Sequence, residues 1–359
     1  MASTVRVFLI AAIAALGLAA CEGASSSGQG GDADSDTDAD SDTDADSDTD
    51  SDTDSDICFE TEFTVQNEPA ALMILLDNSG SMNSGYGETK WEQAKTALGT
   101  LLAEYAGTGK IAFGFDAFPD FECVGFCCDV THAVVSDCAL DNEDGLIATI
   151  TAALAPPPEF DTPLCSGMDI FNDPSYAPGL SGTDGPKYLL VVSDGQEECN
   201  GGDYPETCGV APSYPGAVET VGELLANGIS TFVIGFGSGV NAQQLDVIAA
   251  AGGTDYTTYF VATDTVGLEE AFAEIAVSVV SCEFVLEYPD EEVDPDEVNF
   301  YFDGEIVYQD PDCAAGVGWT WADEEQTTVL FCDEACDQLK SGEEIVISAT
   351  FGCPTQTIE

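Results

Sequence analysis

The chain has 359 residues, 44% of them apolar, enough for roughly two domains with cores of their own, so wholesale disorder is excluded. Only 6 Lys and Arg stand against 68 Asp and Glu. Such a surface repels nucleic-acid phosphates and anionic lipid headgroups, which excludes both as direct partners, and it suits cations, basic surfaces or a saline medium.

Residues 1–20 read as an export signal. Arg6 supplies a short positive region, and residues 7–18 are an apolar stretch too short to span a bilayer as a permanent helix. The stretch ends Leu18-Ala19-Ala20-Cys21, which resembles the lipobox of bacterial lipoproteins. That resemblance implies cleavage before Cys21, a diacylglycerol on its thiol and an acylated amine. Several acyl chains anchor far more firmly than one. Glu22 is not the Asp that such lipoproteins use for retention in the inner membrane. The expected location is therefore the outer membrane or cell surface of a Gram-negative-type bacterium, with the membrane contacted through the lipid alone.

Residues 21–56 form an acidic linker. From Asp32 to Asp56 every second residue is Asp, alternating with Ala, Ser and Thr. Nothing there can be buried, and like charges extend the chain. The 35 residues between Cys21 and Ile57 reach on the order of 100 Å when stretched. Asp-x-Asp-x-Asp opens a calcium loop of the EF-hand kind, but the Gly at the sixth position and the Glu at the twelfth are missing, so a solvated tether is the better reading.

Residues 57–282 alternate between strand and helix patterns. Ala71-Leu72-Met73-Ile74-Leu75-Leu76 is a continuous apolar run, as expected of a strand buried on both faces. Trp91, Ala94, Leu98, Leu101 and Tyr105 recur at helical spacing. Residues 111–115 and 132–135 read as strands, and 146–154 as a helix stopped by Pro156-Pro157-Pro158. Strands follow at 188–192, 229–234 and 259–261, and helices at 218–226, 245–251 and 268–280. This alternation predicts an α/β fold, a doubly wound and mostly parallel sheet with helices on both faces. From 283 to 359 the rhythm becomes short and alternating, at 284–288, 299–302, 305–308, 327–331 and 344–350. Asp303-Gly304 marks a two-residue hairpin turn. The expectation is a small antiparallel β module stapled by disulfides, because its own core is thin.

Fourteen cysteines in an exported chain argue for disulfides. Cys58 and Cys282 bracket the α/β domain, and a bridge between them would tie its first strand to its last helix. Cys313, Cys332, Cys336 and Cys353 could close among themselves. Setting Cys21 aside for lipidation leaves an odd number, so at least one thiol is free or pairs with another chain.

The first buried strand runs into Asp77-Asn78-Ser79-Gly80-Ser81, and a later one ends in Val192-Ser193-Asp194-Gly195. Between them, Phe160-Asp161-Thr162-Pro163-Leu164 precedes a helix. In an open parallel sheet such loops meet at the carboxyl edge, at the switch point where ligands bind. Carboxylates and hydroxyls are hard oxygen donors, the kind Mg²⁺ prefers. Thr183 is a rival to Thr162 but lies too near the strand that carries Asp194.

The pattern resembles the metal-ion-dependent adhesion site of the von Willebrand factor A domain family. The likeness covers about residues 58–282 and extends to Gly228-Ile229, Ile234-Gly235-Phe236-Gly237 and Ala251-Gly252-Gly253. It implies a divalent cation, Mg²⁺ or else Mn²⁺ or Ca²⁺, ligated by Ser79, Ser81 and Thr162, with Asp77 and Asp194 holding metal-bound waters or ligating directly. It also implies a protein or matrix partner whose Asp or Glu replaces one water.

Catalytic chemistry finds little support. His132 is the sole histidine and falls in an edge-strand pattern, so a Ser-His-Asp or Cys-His pair lacks a base. Gly107-Thr108-Gly109-Lys110 lacks the upstream Gly and the following Ser or Thr of a phosphate loop. The expectation is a non-enzymatic surface lipoprotein that binds through the cation site; the alternative is a structural or assembly protein of the envelope in which the ion only stabilises the fold.

Overall fold

A computed structural model describes residues 59–61, 69–85, 87–121, 130, 133–195, 197–199, 208–286, 294–341 and 345–358. Cys21, Cys58, His132 and the acidic linker lie outside the described residues.

In chain order the first part comprises β1 (Phe59–Thr61), β2 (Ala70–Asp77), α1 (Lys90–Tyr105), β3 (Ile111–Phe118), β4 (Ser136–Ala139), α2 (Glu143–Ala152), α3 (Leu164–Asp169) and α4 (Pro178–Ser181). It continues with β5 (Lys187–Ser193), α5 (Pro215–Ala226), β6 (Ile229–Phe236), α6 (Ala242–Ala251), β7 (Phe260–Ala262) and α7 (Thr265–Val279). Six of the strands form one sheet in the order β4-β3-β2-β5-β6-β7, parallel throughout except for the edge strand β4. From β2 the chain winds outward to β3 on one side and to β5, β6 and β7 on the other, so the winding reverses at β2.

All eight residues of β2 are buried, and side-chain alternation divides them between two cores. Leu72, Ile74 and Leu76 pack with Trp91 and Leu98 of α1 and Phe272 and Ile275 of α7. Ala71, Met73 and Leu75 face the other way, toward Leu164 and Met168 of α3, Val221 of α5 and Leu245 of α6. Each fully buried Leu, Ile or Met contributes roughly 1.5–3 kcal/mol, which is why a continuous apolar run rather than an alternating one belongs here. Helix α1 starts where Thr89 accepts the Glu92 amide at 3.2 Å, the arrangement its Thr-x-x-Glu spacing favours.

The edge strand β4 lies at Ser136–Ala139, beyond the 132–135 expected from sequence. Val134 and Val135 drew that expectation, but in the strand itself only Cys138 is buried. Cys138 is also a free thiol.

The second part comprises β8 (Glu283–Val285), β9 (Val298–Phe302), β10 (Glu305–Val307), β11 (Trp319–Trp321), β12 (Thr328–Phe331), α8 (Asp333–Lys340) and β13 (Ile347–Phe351). Two antiparallel sheets, β1-β13-β9-β10 and β11-β12-β8, enclose Phe300, Trp319, Phe331 and Val298. The Asp303-Gly304 turn joins β9 to β10, with φ of 49° and 84°; both positive values suit a type I′ hairpin. Burial pushes the Asp310 carboxyl up, but the amides of Ala315, Val317 and Gly316 that it accepts outweigh this and hold it below the usual carboxylate range.

The disulfides correct one expectation and refine another. Cys282 bonds to Cys336, so it does not bridge to Cys58, and the bond ties the end of the α/β domain to α8. Among the last four cysteines only Cys313 and Cys332 are joined to each other in the pairs resolved here. Cys353 is also disulfide-bonded. Strand β1 belongs to the β module: Phe59, Glu60 and Thr61 pair with Phe351, Thr350 and Ala349. Residues 69–280 thus stand between two segments that share a sheet.

Candidate metal centre

The parallel register ends with Leu76 opposite Val192, which leaves Asp77 and Ser193 side by side at the carboxyl edge. Ser193 Oγ donates to Asp77 Oδ2 at 2.6 Å, and the Ser79 amide donates to Asp77 Oδ1 at 2.8 Å. The second bond turns the chain sharply, and Ser79 Oγ and Ser81 Oγ then lie 2.9 Å apart. Ser81 Oγ donates to Asp194 Oδ1 at 2.6 Å, which closes a chain of contacts from the β2 loop to the β5 loop. Asp77, Ser79, Ser193 and Asp194 are buried, whereas Ser81 is exposed, so the site opens to solvent at Ser81.

Gly80 holds this turn against the third loop. Its amide donates to the Phe160 carbonyl at 2.9 Å, and a Cβ at Gly80 would lie 2.4 Å from the Pro158 carbonyl oxygen. Two residues past Phe160, Thr162 is buried and meets the site through Gly195, where an added Cβ would sit 3.2 Å from Thr162 Oγ1. Thr162 Oγ1 donates to Glu198 Oε2 at 3.3 Å. Helix α3 begins directly after this loop, and Cys165 in its first turn is bonded to Cys208. Thr183 precedes β5 and accepts the Gly185 amide at 3.2 Å. The seven residues of β5, about 23 Å of strand, separate it from the site.

Asp77, Ser79, Ser81 and Asp194 are therefore brought together by direct hydrogen bonds, and Thr162 lies against the glycine after Asp194. Three further participants were not marked by the sequence. Ser193 fixes Asp77, Glu198 engages Thr162, and Lys90 Nζ forms an ion pair with Asp194 Oδ2. Ser193 adjoins Asp194 in the chain and could have been found by strand register; nothing local marks Lys90 or Glu198.

Burial, then the charge of Asp194, pushes the Asp77 carboxyl up to about 7, against the hydrogen bonds from Ser193 and Ser79 that lower it. A carboxyl so displaced marks negative charge that a cation would relieve. Two carboxylates and three hydroxyls, with no sulfur or nitrogen among them, fit a hard divalent ion such as Mg²⁺, Mn²⁺ or Ca²⁺. Cys165, Glu197 and Cys208 form a second cluster of ligand-type side chains. There the two thiols are consumed in a disulfide, and Glu197 accepts the amides of Cys165 and Cys199 at 2.9 Å each. That cluster is structural.

Residues 69–280 form a doubly wound, mostly parallel α/β sheet, with the loop cluster at the point where the winding of the sheet reverses. No family model matches the chain, and neither does any curated protein. Among solved structures, the chain is similar to proximal thread matrix protein 1 from the mussel byssus with a zinc-occupied MIDAS motif, at 16% identity over 61% of this chain and 49% of that one, TM-score 0.41. It is also similar to the PilB minor pilin of Streptococcus sanguinis, at 19% identity over 58% and 60% of the two chains, TM-score 0.42. A third is a von Willebrand factor type A protein from Catenulispora acidiphila, at 15% identity over 80% and 59%, TM-score 0.40. The chain spans about half the length of the mussel protein.

Proposed function

We propose that this protein is a non-enzymatic surface lipoprotein that captures a protein or matrix partner through a divalent cation held by Asp77, Ser79, Ser81, Thr162 and Asp194. The observation that carries the proposal is the hydrogen-bonded run of oxygen donors at one sheet edge, deeply buried at Asp77 and Asp194 and open at Ser81. A divalent ion held there supplies an electrophilic coordination position to an incoming carboxylate. The chain's own residues do the rest: the carboxylates set the charge, the hydroxyls complete the oxygen donors, and exposed Ser81 leaves an approach from solvent. On so acidic a surface, an Asp or Glu of a partner has little reason to approach except toward a cation. Among the described residues no helix is long and apolar enough to cross a membrane; in this reading the anchor is the lipid on Cys21, and residues 21–56 are the stalk.

Asp77→Ala should abolish both Mg²⁺ binding and partner capture in pull-downs from envelope extracts, and EDTA should reproduce the loss in the wild-type protein. Capture that persists in both cases would sink the proposal. A second reading, assembly within the envelope, draws on β10, which among the described residues is an edge strand in a disulfide-tied module. Capture that requires residues 283–359 and ignores chelators would favour it.

A further inference from the structure

Lys90 is out of place by local rules. It is the first residue of α1, where the helix dipole disfavours a cation, and the chain has few basic residues to spend. Its backbone amide is held by the Ser84 carbonyl at 2.9 Å, and Ser84 in turn bonds to the Ser81 carbonyl, so the lysine is tied to the loop that carries the serines. Its stem crosses the carboxyl edge of β6 over Gly237, whose φ is +89° and where a Cβ would lie 3.1 Å from Lys90 Cε. The ammonium ends on Asp194, whose side chain is fully buried, while 20% of the lysine side chain stays open to solvent. The absence of a side chain at 237 thus leaves room for the lysine stem, which ends at a residue of the candidate cation site.

We propose that Lys90 is a tethered cation that neutralises Asp194 in the ion-free protein and competes with the divalent ion for that carboxylate, setting the concentration at which the site fills. The inference rests on the cation-site reading above. An ammonium and a divalent ion repel each other strongly at a few ångströms, so filling the site requires Lys90 to release Asp194. Its partial exposure and flexible four-carbon stem give it a way out to solvent. Without ion, the lysine offsets the buried charge of Asp194. With ion, the same lysine raises the threshold, so that occupancy follows the ion content of the medium.

The test is Mn²⁺ titration calorimetry on the full chain, with melting temperatures in EDTA and in Mn²⁺. Lys90→Met should bind Mn²⁺ at least tenfold more tightly than wild type. It should also melt lower in EDTA and gain more from Mn²⁺. Affinity within twofold of wild type, or weaker, overturns the proposal. Lys90→Arg keeps the charge and serves if Lys90→Met does not fold; its Mn²⁺ affinity should be no tighter than wild type, and a tenfold gain would overturn the idea. Asp77→Ala separates the two levels of the argument. If that variant binds Mn²⁺ as wild type does, or if neither wild type nor Lys90→Met binds at all, the cation-site reading itself falls. If Asp77→Ala abolishes binding while Lys90→Met changes nothing, only the role of Lys90 is lost. Binding seen in Lys90→Met but not in wild type supports the proposal in its strongest form.

Discussion

Burial and the charge of Asp194 act on Asp77 in the same direction, raising its carboxyl to about 7, and this gives stability a definite pH dependence. The unfolded carboxyl titrates near ~3.9. A group whose folded value is raised contributes stability that is fully present below the unfolded value and lost as pH climbs to the folded one. In EDTA the wild-type protein should therefore lose stability relative to Asp77→Asn between about pH 4 and about pH 7, by roughly 4 kcal/mol at the upper limit. Asparagine keeps an oxygen for the Ser79 amide and carries no charge to desolvate. Urea unfolding of both proteins at several pH values measures the difference. A constant difference would mean that Asp77 ionises at no cost. Saturating Mg²⁺ should reverse the order above pH 7, since only the carboxylate gains from the ion. Asp77, Ser79, Ser81 and Asp194 were legible in the sequence because each follows an unmistakable buried strand. Lys90 was not, since the lysine that opens α1 is bonded to a carboxylate 104 positions away and no short-range spacing records that.

Elements were legible in proportion to how much of their own core they carry. β2, β5 and β6 announce themselves by continuous apolar runs, and α1 by its period. Helix α8 was missed because only Ala335 and Leu339 are buried in it, and β11 because three residues carry no rhythm. Cysteine pairing was not readable either, because it depends on which loops the fold brings together. The Cys165–Cys208 bond shows what such pairing does for the site. It ties the first turn of α3, just after Thr162, to the segment before α5 across a separation of 43 residues. Replacing both cysteines with Ala should cost roughly 4 kcal/mol by chain entropy, less if the unfolded chain retains structure. It should also weaken Mn²⁺ binding, because the loop bearing Thr162 loses its anchor. The matched control is Cys313 with Cys332, a bond confined to the β module, whose double replacement should lower stability and leave Mn²⁺ affinity unchanged. Equal effects on affinity from the two pairs would remove any special role for the α3 anchor.

At the scale of the whole molecule, the chain enters and leaves the α/β domain through the β module. Strand β1 pairs with β13 although Phe59 and Phe351 stand far apart in the chain, and three residues pairing at that range leave no mark in the sequence. Lys110, just ahead of β3 at the amino edge of the parallel sheet, donates through Nζ to the Ser341 carbonyl of the module. The module therefore meets the sheet at its amino edge, and the loop cluster of Asp77 and Asp194 occupies the carboxyl edge. This predicts a separable defect. Deleting residues 1–61 should uncover β13, remove two or three backbone hydrogen bonds worth about 1 kcal/mol each, and raise amide exchange in Ile347–Phe351. Mn²⁺ affinity should stay within twofold of the full chain, because about 20 Å of strand lies between the two edges. Hydrogen exchange and titration on the same truncated protein decide the matter. Loss of ion binding along with β13 protection would show that module and domain unfold as one unit.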